Sequence, residues 1–215
     1  MSPKSEKSHL VSYTLPKADM HTHISLALSP EQLLKKIQLN RTTLDLDFLL
    51  HKPRRYYSNL WSFHAETYEK LRGSVEAYEL AIVTQTYLER IAKEGAIYAE
   101  ISNSFRDPAV FEMQMDAVVE GIKAAKENTG IEARIVVTSL RDYGSSKAEK
   151  AAKHLVGYKN PYVTGFGLVG YERADSLQEY KTALNIAWHE AGLGIAPHVA
   201  EQDIVNAIDF FKCYP

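Results

Sequence analysis

Hydrophobic and polar residues follow two different periods along this chain, and the two periods alternate. Five short apolar segments are typical of buried strands: "ADMHTHI", "AIYAEIS", "IEARIVVTSL", "VTGFGLVG" and "LGIAPHVAE". Between them lie longer segments whose apolar residues recur every three to four positions, which is the helical period. This alternation predicts an α/β fold in which helices cover a parallel sheet.

The first predicted helix has a clear beginning. In "SPEQLLKKI", Ser29 is the expected N-cap, Pro30 stands in the first turn and Gln32 completes a capping box. Residues 41–73 are rich in aromatic side chains and predict a helical excursion. Further helices are predicted over 74–95, 109–128, 147–158, 176–192 and 202–214.

Two architectures satisfy a strand–helix alternation, namely an open doubly wound sheet and a TIM-type (β/α)8 barrel. No glycine-rich phosphate-binding motif follows the first strand, which weakens the open nucleotide-binding sheet. A full barrel typically needs about 250 residues or more, which exceeds the 215 residues present. The five strand–helix units along the chain therefore predict about the first five βα units of a barrel. We expect residues 1–12 to form a flexible leader and 13–215 to form the N-terminal part of a single barrel domain.

Composition narrows the class of protein. Residues are 45% hydrophobic, which is ordinary for a globular protein. The formal net charge of −2 argues against a nucleic-acid partner or an anionic membrane surface. Cys213 stands alone, so an internal disulfide and a cysteine-rich zinc module are excluded and a reducing compartment is favoured. No apolar run of about 18 residues and no secretory signal is visible. A cytoplasmic protein is the expectation.

Candidate chemistry lies at the carboxyl ends of the predicted strands, where ligands bind in both architectures. His21 and His23 alternate on one strand and should point to the same face, and His198 follows the fifth strand. Three histidines with one open position suit a hydrolytic metal site, where the metal lowers the pKa of its bound water. The other polar residues at these strand ends are Glu100, Asn103, Arg141, Asp142, Glu172 and Glu201.

Simpler explanations exist for the same residues. An isolated H-x-H pair is common in proteins that bind no metal, and Glu201 could merely begin the last helix. Glu100 and Arg141 could form a structural pair. The residues alone therefore leave the metal site open.

Four motifs in order resemble the adenosine deaminase family of metal-dependent amidohydrolases. "LPKADMHTHISLALSPEQLL" resembles its opening, "YLERIAKEGAIYAEIS" its Y-x-E strand, "VTGFGLVGYE" its G-x-D-L-x-G-x-E strand, and "HEAGLGIAPHVAE" the segment that ends in H-A-G-E. The resemblance covers about residues 13–212.

The resemblance implies a zinc-dependent aminohydrolase that deaminates adenosine or a related 6-aminopurine. It implies one zinc ion, or another divalent metal, held by His21, His23 and His198, and Glu201 as the acid that protonates a purine ring nitrogen. Activated water would attack the ring carbon that bears the amino group, so Glu201 would need a raised pKa. The implied substrate-binding residues are Ser25, Gly170 and Phe63.

Several positions depart from the family pattern. Ser25 stands where members carry an aspartate that contacts the sugar, Gly167 replaces the strand-four aspartate, and Ala200 replaces the glycine of H-A-G-E. Recognition of an aminopurine is therefore better retained than recognition of a ribose. The family's later histidine and its metal-binding aspartate would fall beyond Pro215, so the chain is expected to be truncated, and the incomplete barrel to self-associate.

Two alternatives remain open from the sequence. One is a different metallohydrolase on the same barrel, which would cleave an amide or a phosphoester. The other is a catalytically inactive fragment or binding relative.

Overall fold

A computed structural model describes residues 15–39, 41–42, 75–173, 176–202 and 204–214. The predicted leader, most of the aromatic segment over 41–73, and Phe63 lie outside these residues. The strands are β1 (Lys17–His23), β2 (Ala96–Ser104), β3 (Glu132–Leu140), β4 (Val163–Val169) and β5 (Gly194–Ile195). The helices are α1 (Pro30–Gln38), α2 (Leu80–Lys93), α3 (Pro108–Thr129), α4 (Ser145–Gly157), α5 (Lys181–Asn185) and α6 (Ile204–Cys213).

The strands form one sheet in the order β1-β2-β3-β4-β5, which confirms the predicted α/β class. β3 and β4 are parallel, with Val137 opposite Phe166, and β4 and β5 are parallel, with Gly165 opposite Gly194. Sequential parallel neighbours joined by helices are what the strand–helix alternation predicts.

The described helices largely follow the predicted ends. Ser29 accepts a hydrogen bond from the Gln32 amide, and the Gln32 side chain accepts one from the Ser29 amide, so the predicted capping box is present. The segment predicted as one helix over 176–192 is less regular. It runs as a 3₁₀ turn (Ser176–Tyr180), then α5, then a π-helical turn (Ile186–Glu190).

The fifth strand is shorter than predicted. Regular pairing ends at Ile195, so the prediction of a strand over 193–201 is wrong for its second half. The Ala196 amide still bonds to the Phe166 carbonyl at 2.9 Å, and the His198 amide to the Leu168 carbonyl at 2.8 Å. Pro197 has no amide hydrogen, and Ala200 adopts a positive φ of 66°, which turns the chain away from the strand direction.

The chain divides into two compact units. The first takes in the described residues up to 101 together with 114–133, and the second takes in 102–113 and the described residues from 134 onward. In the first unit α3 packs closely on α2, because Gly121 has no side chain and a Cβ there would meet the backbone of Ala81 and the side chain of Thr84. In the second unit Phe166 and Leu168 of β4 are fully buried, as are Ala151 and Ala152 of α4.

Large apolar side chains are exposed in each unit. In the first, Met20 is 58% exposed and Ile97 is 60% exposed. In the second, one face of α6 exposes Ile204, Ile208 and Phe211. Self-association of the chain stays a prediction. Within the described part of the chain, no helix is long and apolar enough to cross a membrane.

Candidate active site

Two histidines meet at the end of β1 in the first unit. The Nε2 atoms of His21 and His23 lie 3.1 Å apart, with the rings almost perpendicular at 88°. Two nitrogen ligands at about 2.0–2.1 Å from one tetrahedral ion lie about 3.3 Å apart. Strand alternation therefore gives the spacing at which both imidazoles can bind the same ion, as predicted from H-x-H.

Asp19 links the histidine strand to α2. Its Oδ1 accepts a hydrogen bond from the His21 amide at 3.2 Å, and its Oδ2 accepts one from the Tyr87 hydroxyl. Burial of Tyr87, together with this bond, raises the pKa of its hydroxyl to about 12. The hydroxyl is thus protonated at neutral pH and donates to the carboxylate. Neither residue was predicted to have this role, although Asp19 stands two residues before H-x-H in the sequence.

Ser25 follows β1 directly, in a single 3₁₀ turn formed by Ile24–Leu26. Ile24 is fully buried and anchors this turn, whereas Ser25 is half-buried. The predicted contact between Ser25 and a substrate stays a prediction.

His198 and Glu201 are paired in the second unit. The His198 Nδ1 lies 3.0 Å from the Glu201 Oε1. A carboxylate that accepts from Nδ1 fixes the tautomer of the imidazole and leaves Nε2 as the nitrogen with a lone pair. The local geometry therefore suits His198 to bind a metal through Nε2.

Gly170 follows β4 directly and has a φ of +92°, a conformation that disfavours any residue with a side chain. A Cβ at Gly170 would meet the carboxylate of Asp142, and a Cβ at Gly167 would meet the carbonyl oxygen of Ala196. The replacement of the family's strand-four aspartate by Gly167 thus coincides with a close approach of two backbones. That Gly170 contacts a purine stays a prediction.

A buried polar network holds the chain around His198 and Glu201. The Glu172 carboxylate accepts hydrogen bonds from the amides of Ala200 at 3.0 Å and Gln202 at 2.7 Å. It accepts a third from the Asn206 side chain at 2.9 Å.

Arg141 holds the same segment at its beginning. Its Nη2 donates to the His198 carbonyl at 2.6 Å, and its own carbonyl accepts from the Tyr180 hydroxyl at 2.9 Å. Burial lowers the pKa of the Arg141 guanidinium, and the negative charge of Glu172 opposes this effect. Arg141 and Glu172 were predicted to lie at strand ends, without this role. No such role was predicted for Asn206 or Tyr180, because the sequence around each of them shows only an apolar helical period.

The alternative pairing of Arg141 with Glu100 stays a prediction. Glu100 accepts a hydrogen bond from the Tyr98 hydroxyl at 3.1 Å, on its own strand.

Comparison with known proteins decides the family. The family model for adenosine deaminase matches residues 16–212. The chain belongs to the adenosine deaminase family.

It is 36% identical to an adenine deaminase of Chelativorans sp. (strain BNC1), over 92% of this chain and 62% of the relative. It is 32% identical to an adenine deaminase of Agrobacterium fabrum, over 95% of this chain and 63% of the relative. The chain thus spans about three fifths of the length of these relatives.

Solved structures agree on the fold of this family member. An adenine deaminase from Arthrobacter aurescens superimposes with a TM-score of 0.73 and 23% identity, over 90% of this chain and 60% of that one. An amidohydrolase from Burkholderia ambifaria with bound Zn gives a TM-score of 0.79 and 18% identity, over 95% of this chain and 58% of that one. These matches confirm the predicted fold class, with about five of the barrel's βα units in this chain.

Proposed function

We propose that the protein that contains this chain is a metal-dependent deaminase of a 6-aminopurine, and that adenine is a better substrate than adenosine. The observation that carries the proposal is family membership together with 36% identity to an adenine deaminase over most of this chain. Ser25 supports the preference for the free base, because a hydroxyl binds a ribose more weakly than a carboxylate does.

We propose further that His21, His23 and His198 hold one divalent ion, with zinc as the first candidate. The donor set fits such an ion, since the Nε2 atoms of the first two converge to 3.1 Å and the Nδ1 of the third is engaged by Glu201. Neutral imidazole nitrogens are good ligands for zinc. When bound, the ion would supply acidity, lowering the pKa of a water molecule toward neutrality.

Glu201 is proposed as the group that moves the proton. Addition of water to the amino-bearing carbon forms a C–O bond and places negative charge on the ring, which a proton from Glu201 to the ring nitrogen neutralises. One proton of the added water passes to the amino group, the C–N bond breaks and ammonia leaves. The other water proton returns to Glu201 as the new C–O bond becomes a carbonyl, which restores the acid. The Glu201 Oε1 lies 3.0 Å from the His198 Nδ1, so the proposed acid is joined to one of the proposed metal ligands. A raised pKa of Glu201 stays a prediction.

The test is a substrate panel on the full-length protein, assayed by ultraviolet absorbance with metal content measured on the same sample. We expect turnover of adenine with about one metal per chain, and a kcat/KM for adenine at least about 10-fold above that for adenosine. A higher kcat/KM for adenosine than for adenine would contradict the proposal that the free base is the better substrate. Hydrolysis of amides or phosphoesters without deamination would contradict the whole proposal and favour the other metallohydrolase.

A further inference from the structure

We infer that Glu172 is a positioning residue that orients Glu201 for proton transfer by binding the backbone on both sides of it. The inference rests on the proposed function and adds a residue to its machinery. Glu172 binds the peptide groups that flank Glu201, so it would act on the reaction through the backbone and not by touching the substrate.

The contacts enclose one residue. The Glu172 Oε1 accepts from the amide of Ala200 and its Oε2 from the amide of Gln202, at 3.0 and 2.7 Å. These amides belong to the residues directly before and after Glu201. Because each carboxylate oxygen binds a different amide, the carboxylate fixes the direction of the backbone at Glu201 as well as its position.

Glu172 is itself held rigidly. It is fully buried, and the fully buried Asn206 donates one side-chain hydrogen bond to its Oε1 and another to the Arg173 carbonyl, both at 2.9 Å. The Asn206 Oδ1 in turn accepts from the Leu177 amide at 3.4 Å. A buried carboxylate that accepts several hydrogen bonds and lies near a guanidinium is compensated for its loss of water.

The backbone that Glu172 binds would not keep this shape by local preference. Ala200 has a φ of 66°, which a residue with a side chain adopts only when its surroundings enforce it. The amide of Ala200 is one of those that Glu172 binds. Removal of the carboxylate should therefore let the segment relax at the residue next to Glu201, with a loss of orientation at its side chain.

The experiment compares variants of the full-length protein in steady-state kinetics, thermal melting and metal analysis. Glu172→Gln keeps the size of the side chain but presents an amide group to one backbone donor. We expect kcat for adenine to fall about 10- to 100-fold while KM changes less than about 3-fold and the metal stays bound. Asn206→Ala should lower the melting temperature similarly but reduce kcat far less, since both amides keep their acceptor.

Glu179→Gln is the matched control, because Glu179 is an exposed carboxylate of the same unit that lies 3.6 Å from Arg173. It should leave kcat unchanged. If Glu172→Gln does not fold, Glu172→Asp replaces it, with a reduced kcat and retained metal as the supporting result.

Two failures can be told apart. A wild-type protein that deaminates no aminopurine would overturn the proposed function and, with it, this inference. Wild-type turnover together with an unchanged kcat in Glu172→Gln or Glu172→Asp would overturn the inference alone. Equal losses of kcat in Glu172→Gln and Asn206→Ala would also overturn it, because general loosening of the unit would then explain both.

Discussion

The two units present their histidines by different physical means. In the first, His21 and His23 lie on a regular strand, and the period of the strand alone directs both imidazoles to one face. In the second, His198 lies beyond the end of β5, in a segment without regular structure. There the direction of the side chains depends on a buried carboxylate and a buried guanidinium contributed by distant parts of the chain.

This difference predicts which substitutions should disturb the geometry of the candidate site. A strand restores its own geometry after most changes to neighbouring side chains, because the backbone pairing sets it. An irregular segment has no such repeat, so each contact that holds it matters individually. Loss of a proposed metal ligand should therefore have a strong effect in either unit, whereas changes in packing or backbone strain should have weaker ones.

Loss of a histidine from either unit should remove the same metal ion. In the full-length protein we expect His198→Ala and His23→Ala each to lose the metal and at least about 10³-fold in kcat/KM, as measured by metal analysis and kinetics. His189→Ala, an exposed histidine of the second unit, is the control and should keep both. Wild-type metal content in either ligand variant would show that the two units do not share an ion.

Glu201→Gln should separate binding from chemistry in the second unit. The amide keeps an oxygen for the His198 Nδ1 but has no acidic proton, so the metal should stay while kcat falls about 10²-fold or more. Steady-state kinetics beside metal analysis measures both. A kcat close to wild type would exclude Glu201 from proton transfer.

Gly167→Ala should show how tightly the irregular segment lies against β4. A Cβ there would meet the carbonyl oxygen of Ala196, and we expect a loss of about 1–3 kcal/mol in the free energy of unfolding. Denaturant titration measures it. Gly157→Ala, at the end of α4 where a Cβ meets nothing, is the matched control. Equal stability of the two variants would contradict the close approach.

Tyr87→Phe should test how much the hydrogen bond from Tyr87 to Asp19 stabilises the first unit. It removes the hydroxyl that donates to Asp19, at an expected cost of about 1–2 kcal/mol. Because the pKa of Tyr87 is raised to about 12 in the folded state, wild-type stability should be complete below about pH 10 and fall as the pH rises toward 12. For Tyr87→Phe, the free energy of unfolding from denaturant titrations should change less with pH across that range. If the stability of Tyr87→Phe falls as steeply with pH as that of the wild type, groups other than Tyr87 cause the pH dependence.

Ala200→Gly should have the smallest effect and the opposite sign. Glycine adopts a φ of 66° without the steric cost that alanine has, although it gains freedom in the unfolded chain. The net expectation is a gain of up to about 1 kcal/mol, measured by thermal melting. A clear loss of stability would show that Ala200 does not hold this conformation.

The contrast between the units also explains how far the sequence could be interpreted. The strand pattern of "ADMHTHI" fixed both the element and the shared face of His21 and His23, and Ser29 with Gln32 fixed the start of α1. The order of four motifs indicated the adenosine deaminase family, which the family model confirms, because sequential motifs at strand ends are far more specific than any one of them. The strand pattern and the capping box are local, so a short stretch of chain carries all the information for each of them.

The remaining features depend on residues that are distant in sequence. The amide of Ala200, whose φ is positive, and the amide of Gln202 both bind Glu172, which is 28 and 30 residues away in the sequence. Asn206 lies on α6, where its sequence neighbours predict only a helix. The pattern of the chain was enough to predict most of the elements and to select candidate residues for the chemistry. How the segment around Glu201 is held could be seen only in the folded protein, because a buried carboxylate must take its partners from whichever backbone donors the fold brings to it.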